Sequence, residues 1–436
     1  MQALWKQTQK LHPTFQRLNR CLEADWFLLP HELKLQAAHA AALADANLLT
    51  ADEHADLARG LERLAADHLG QPCPDSDAED LHTWVEGALT ALVGEAGRRI
   101  HTARSRNDQV ATLLVMYAVD SADRLDPRLV QLIEVLCVRA KGWSDYVMPL
   151  QTHQQFAAPG VAGCWALRFA VALERIRTHL GFLEEQWRDG CPLGAGAVAG
   201  STLPVNRQRQ ADGLDFAAPT PSALFSTTAR DECLELLAVL AQIAIHLQSF
   251  AADVICFNQT PLGWTIYPRE FGTGSSMMPN KTNPDAMELL RGECCAILAA
   301  HAQALTLLKG LISGYNRDLQ CIKPLLHEAV EKTLNACELV TAFTAALEFD
   351  RKRLLASALQ GHIDATARME AKVAEGTPLR DAHHLIADDL AGSAATPESI
   401  TSVVHAYRTL GSASPAETRR VADEILGRLN PRKSSR

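Results

Sequence analysis

The sequence has no C-x-x-C pair among its eleven cysteines. That excludes ribbon- or finger-type structural zinc, and an odd, unpatterned set suits a reducing compartment better than a disulfide framework. An excess of basic charge is also missing. The net charge is −9, and the basic runs are short: Arg98 to Arg106, and the tail of Arg432, Lys433 and Arg436. A nucleic-acid partner is therefore not expected. No P-loop is present. Met1 to Lys10 is polar and leads into no apolar run with a cleavage site, which predicts a cytoplasmic protein. No membrane partner is expected either. The best uncharged stretch, Leu236 to Ala252, is short for a span and carries Gln242, His246, Gln248 and Ser249, so it predicts a helix buried inside a bundle.

What is present is an ordinary globular composition, 47% hydrophobic and 21% charged, in a chain long enough for a large core. Apolar residues recur at helical spacing through Ala37–Ala46, Ala51–His68 and Leu81–Val93. Longer segments follow: Val110–Val147 (with a break expected near Asp126-Pro127), Ala162–Leu183, Leu234–Val254, Ala286–Leu311 and Leu334–Leu347. Cys294 and Cys295 sit in one of these runs and are read as buried small hydrophobes. The pattern predicts an all-α fold in three segments: an N-terminal helical domain over 1–105, a central long-helix bundle over 106–354 and a small helical domain over 355–436. Apolar residues wrap around more of each long helix than one core-facing stripe requires, so a homo-oligomer is expected.

Three polar stretches interrupt the helices. Phe271 to Glu288 reads FGTGSSMMPNKTNPDAME. Gly272 and Gly274 relax the backbone around the hydroxyls, and Asn283-Pro284 predicts a helix entry with asparagine at the cap. Hydroxyls, a lysine, an amide and a helix N-terminus together suit an anion. Read alone, Gly-Ser-Ser is equally a surface turn. Gly97 to Val110 packs Arg98, Arg99, Arg104, Arg106 and Asn107 ahead of a long apolar helix; such donors suit carboxylates, or form a solvated basic turn. Met148 to Pro159 reads MPLQTHQQFAAP, with Thr152 and His153. Glu79, Asp80 and His82, beside a helix start, are candidates whose plainer reading is dipole pairing. Cys191 to Arg207 contains a G-x-G-x-x-x-G, but no strand precedes it and the spacing is wrong for a dinucleotide.

GSSMMPNKTNP matches every fixed position of GSSxMPxKxNP and resembles the signature loop of the fumarase/aspartase superfamily. HTARSRNDQVAT, MPLQTHQQFAAP, CPLGAGAVAGSTLPVNR and YNRDLQCIKP are similar to segments of its argininosuccinate lyase family. The resemblance extends over nearly all the chain. It implies a homotetramer with a 20-helix core, active sites shared between subunits, and a small-molecule substrate with no cofactor and no metal. The implied reaction is carbon–nitrogen β-elimination, releasing fumarate from an N-substituted aspartate through an aci-carboxylate. By the same resemblance Ser275 is the base, Lys281 stabilises the dianion, and His153 with Glu288 serves the leaving nitrogen. Ser105, Arg106, Asn107, Thr152, Ser276, Asn283, Tyr315, Gln320 and Lys323 would bind substrate.

The sequence departs from that family on the amine side. Leu4-Trp5 is followed by Lys6-Gln7-Thr8-Gln9 in place of glycine-glycine-arginine-phenylalanine. Gln36 replaces a binding serine, Thr228-Ala229 precede Arg230-Asp231 where serine-aspartate is usual, and Cys321-Ile322 replace an acidic pair. A desolvated guanidinium needs carboxylate partners. The favoured expectation is therefore an amine other than arginine, the alternatives being argininosuccinate lyase itself and a non-catalytic, crystallin-like structural descendant.

Overall fold

A computed structural model describes residues 11–429. The readings placed on Met1 to Lys10 and on the Arg432, Lys433 and Arg436 tail fall outside that range.

Some helix starts follow local capping chemistry. α1 spans Leu29–Asp45. α2, Ala51–His68, opens on a capping box in which Thr50 and Glu53 each accept the other's backbone N–H. α3, Leu81–Val93, opens where the Asp80 carboxylate accepts the Thr83 N–H at 2.8 Å. The bounds of α2 and α3 are those expected from the sequence.

Long helices follow: α4 (Arg106–Gly142), α5 (Ala162–Trp187), α6 (Asp231–Phe257), α7 (Asp285–Leu308) and α8 (Ile322–Ala346). By length and composition α6 would suffice to cross a membrane, and 56% of its most apolar window is buried within the protein. The expected break at Pro127 does not occur; α4 runs through it. A proline inside a helix costs ~3 kcal/mol. Leu125, Leu129, Leu132 and Ile133 around it are fully buried, each worth ~1.5–3 kcal/mol, and Arg177 holds Asp126 by two hydrogen bonds of 2.7 and 3.1 Å. Packing wins. Cys294 is buried as expected, but Cys295 is exposed, because adjacent positions on a helix cannot both face one core stripe.

The chain divides into two compact units. One comprises 1–124, 179–241 and 297–331, the other 125–178, 242–296 and 332–436. This partition differs from the three consecutive segments read from the sequence, because each long helix contributes residues to both units. In the first unit Trp187 donates to Glu235 at 2.7 Å and Phe27 stacks on His327. In the second, Trp165 stacks on Phe250, which meets Phe343 edge-on.

Strands are few. Among the described residues the longest pair is an antiparallel hairpin of β1 (Val147–Thr152) and β2 (Gln155–Val161). Its Val147 and Val161 share a core with Ala358, Ile363, Ile400 and Val404, so the C-terminal helices pack on the hairpin. A smaller pair, β3 (Thr273–Gly274) and β4 (Thr282–Asn283), forms the base of the Ser275 loop.

Candidate active site

The Ser275 loop is a hairpin whose base is tied to a helix. Thr273 pairs with Asn283 and Gly274 with Thr282. The carboxylate of Asp285, in the first turn of α7, accepts the Thr273 N–H at 2.8 Å and its hydroxyl at 2.6 Å. These bonds outweigh what burial there is and hold the Asp285 carboxyl below its ordinary pKa. The expected cap therefore shifts by one residue. Asn283 is in the strand, and the Pro284 carbonyl accepts the Glu288 N–H at 3.1 Å. Gly272 is a close-approach glycine, since a Cβ there would lie 2.6 Å from the Asn283 carbonyl, whereas one on Gly274 would meet nothing within 4 Å.

Beyond the base the loop faces outward. Ser276, Met277, Met278 and Lys281 are exposed, and Met277 is 88% exposed. Ser275 is half-buried, and its Oγ accepts the N–H groups of Met277 and Met278 at 3.3 and 2.9 Å. A serine oxygen that already accepts two N–H bonds sits where a developing negative charge is stabilised.

Thr152 and His153 are at the tip of the β1–β2 hairpin. The register pairs Thr152 with Gln155, leaving His153 and Gln154 as a two-residue turn with φ of 52° and 61°. Two successive positive φ values are the type I′ arrangement, which places both side chains at the apex. Leu150↔Ala158 is followed by Gln151↔Phe156, so a bulge lies just behind the tip. Sequence patterning missed this hairpin because no Asn-Gly or Asp-Gly marks the turn and Pro149 interrupts the strand. Thr152 and His153 are exposed, as is Glu288 on α7. No hydrogen bond or ion pair joins His153 to Glu288 among the described residues of one chain.

Ser105, Arg106, Asn107, Tyr315, Gln320 and Lys323 belong to the first unit. Ser105 immediately precedes α4; its Oγ accepts the Asn107 N–H at 3.3 Å. Arg106 donates to Asp80 and to Thr83 Oγ1, both at 2.8 Å, with Glu79 at 3.6 Å. Asp80 therefore does two jobs, capping α3 and orienting the guanidinium. Burial pushes its pKa up, but His82 and Arg106 outweigh that and the net shift is downward. Asn107 donates to the Ala197 carbonyl at 3.0 Å.

Gln320 reaches the Asn19 carbonyl at 3.4 Å, and Tyr315 is half-buried. Lys323 is buried and ion-paired to Asp25. Burial alone would lower its pKa; the Asp25 carboxylate reverses that, so the ammonium persists. Cys21, beside both, has its thiol pushed up to about 12, chiefly by burial.

A buried polar network supports this face. Glu32 accepts from Gln36 at 2.6 Å and sits 3.1 Å from His82 Nδ1. Against burial, the pair settles with Glu32 lowered and His82 raised. His101 goes the other way, down to about 4, through burial and the nearby Arg104 and Arg106. His82 was legible as a candidate. Glu32, Asp25, Asp108 and Asp285 were not singled out, since each also has a partner distant in sequence or on an unpredicted hairpin: His82, Lys323, Gly194 and Thr273. Among the described residues, no group of His, Cys, Asp and Glu could hold a metal ion.

A family model described as a lyase matches residues 6–299. The chain belongs to the lyase family of the fumarase/aspartase superfamily. Solved structures share this lyase's fold at low identity. A variant of EDDS lyase with bound fumarate has a TM-score of 0.82 at 20% identity, covering 97% of this chain and 91% of that one. Fumarate lyase:delta crystallin from Brucella melitensis, bound to cobalt, gives 0.73 at 16%, covering 95% and 93%. The 3-carboxy-cis,cis-muconate lactonizing enzyme from Pseudomonas putida gives 0.69 at 21%, covering 92% and 93%. The lyase fold thus carries enzymes named for different reactions, and the chemistry has to be argued from the site.

Proposed function

We propose that this lyase-family chain is a carbon–nitrogen lyase that releases fumarate from an N-substituted aspartate. The observation that carries the reading is the Ser275 loop, a half-buried serine hydroxyl and an exposed lysine on a hairpin anchored to a helix start by Asp285. Ser275 Oγ takes the proton from the carbon next to a carboxylate. Lys281 and Asn283 stabilise the dianionic aci-carboxylate, and Arg106, Asn107 and Thr152 orient the second carboxylate. The carbon–nitrogen bond then breaks, and His153, assisted by Glu288, protonates the departing nitrogen. Closure of the loop over bound substrate would exclude water and lower the cost of forming the serine alkoxide.

The reading includes a homotetramer with shared active sites. The exposed apolar residues Val138, Val171, Phe182, Ile245 and Leu289, between 47% and 70% exposed, lie along four of the long helices and support it. The amine is one other than arginine. Cys321 is exposed and Ile322 fully buried, so neither offers the carboxylate a guanidinium would need.

The test is to incubate the purified protein with fumarate and a panel of amines, arginine included, and look for addition products by mass spectrometry. Addition of a non-arginine amine is expected. Efficient arginine addition would make the protein an argininosuccinate lyase, and silence from a folded tetramer would remove the enzymatic reading.

A further inference from the structure

The first unit holds a cavity of about 420 Å³ that contains none of the candidate active-site residues. That volume falls within the ~300–1,000 Å³ usual for small-molecule sites. Its floor is apolar, made by Met116 and Val119 of α4 with Leu214 and Phe216, all buried. Charges of both signs stand around it: Lys34 and Arg188 on one side of the balance, Asp120, Asp123 and Asp215 on the other.

These charges already have protein partners: Lys34 pairs with Asp215 at 2.6 Å, Asp120 lies 4.0 Å from Arg124, and Arg188 is shared between Asp123 at 3.1 Å and Glu184 at 3.0 Å, with Lys34, Asp215, Asp120 and Asp123 reaching solvent. Such pairs are weak in water and exchange readily for a ligand's charges. His31 also lines the cavity, and its Nδ1 is buried with no hydrogen-bond partner. A buried polar atom left unmatched calls for a partner the protein does not supply. Burial also lowers the pKa of His31, so at neutral pH the ring is uncharged and offers one donor and one acceptor.

We propose that this cavity is a second small-molecule site, which takes a free α-amino acid with an aliphatic side chain. The ligand's ammonium meets Asp120 and Asp123, its carboxylate meets Lys34 and Arg188, and its side chain lies on the apolar floor. A simple amine or a simple carboxylic acid satisfies only half of that arrangement. The site is independent of the reaction proposed above.

The test is isothermal titration of the intact enzyme, held in saturating fumarate, with leucine, with its decarboxylated amine and with N-acetyl-leucine. Leucine is expected to bind saturably, and each single-charge analogue at least about tenfold more weakly. Asp120→Asn and Lys34→Met, both at half-exposed side chains, should each weaken leucine binding by about tenfold without moving the melting temperature. The proposal is overturned by absence of saturable leucine binding, by analogues that bind as well as leucine, or by variants that bind like the parent. The analogue comparison stands even where a variant misfolds.

Discussion

Two loops in this protein are tethered by the same device, an aspartate in the first turn of a long helix, and they end up with opposite character. Asp108 of α4 is fully buried. It accepts the N–H groups of Ser105 at 2.9 Å, Gly194 at 3.0 Å and Gly196 at 2.8 Å, fastening the glycine-rich stretch after Cys191 from within. Asp285 of α7 accepts the Thr273 N–H and hydroxyl. It holds the hairpin base and leaves Ser276 to Lys281 exposed. The two pKa shifts record the difference. Burial raises Asp108 to about 6 despite its hydrogen bonds, while hydrogen bonds lower Asp285. A buried tether makes a strut, and an exposed one makes a hinge.

The largest effect should come from the free end of the hinged loop. Ser275→Ala is expected to cost ~10²–10⁴ in turnover while leaving circular dichroism and the melting temperature unchanged. A folded, active variant would take the base role from Ser275. Asp108→Ala should do the reverse and act on the fold. It strands buried N–H groups, each costing ~1–3 kcal/mol, so chemical denaturation should show a loss of about 3 kcal/mol or more. A loss near zero would mean that the buried tether is ornamental.

A matched glycine pair sharpens the contrast. Gly194 has φ +81°, and a Cβ there would lie 2.5 Å from Gln210 Oε1. Gly194→Ala should therefore destabilise by ~1–3 kcal/mol. Gly274→Ala meets open space and should leave stability alone while slowing turnover severalfold through a stiffer hinge. Equal effects on stability would break the comparison.

The smallest effect concerns pH. Burial raises the folded pKa of Asp108 from the ordinary 3.8 to about 6. Its favourable contribution is present below the lower value and is lost as pH rises through about 6. Asp285 is shifted downward, so its contribution is present above the ordinary carboxylate pKa and is lost as pH falls. Carbon-13 titration of the two carboxyls should place them on opposite sides of that ordinary value. Asp108→Asn should flatten the stability profile between about pH 4 and 6.

Much of this was readable in the sequence because it rests on neighbours. The bounds of α2 and α3 follow from apolar spacing at the helical period, and their starts rest on pairs three residues apart, Thr50–Glu53 and Asp80–Thr83. The helical period marked the long helices, and the Ser275 motif is contiguous, so its residues could be named without coordinates. The β1–β2 hairpin was not readable, because His153 and Gln154 adopt left-handed backbone without the residues that usually announce it. Pro127 was misread as a break because local propensity says nothing of the four buried side chains around it.

The sequence by itself determined the helical period and a motif specific enough to name a family, both short-range information. Only the tertiary structure decided which charges find partners: Lys323 with Asp25, Arg106 with Asp80, Asp108 with the Gly194–Gly196 backbone. Those pairings span from about 25 to about 300 residues of chain. Their energies depend on burial and distance, quantities that exist only once the chain has folded.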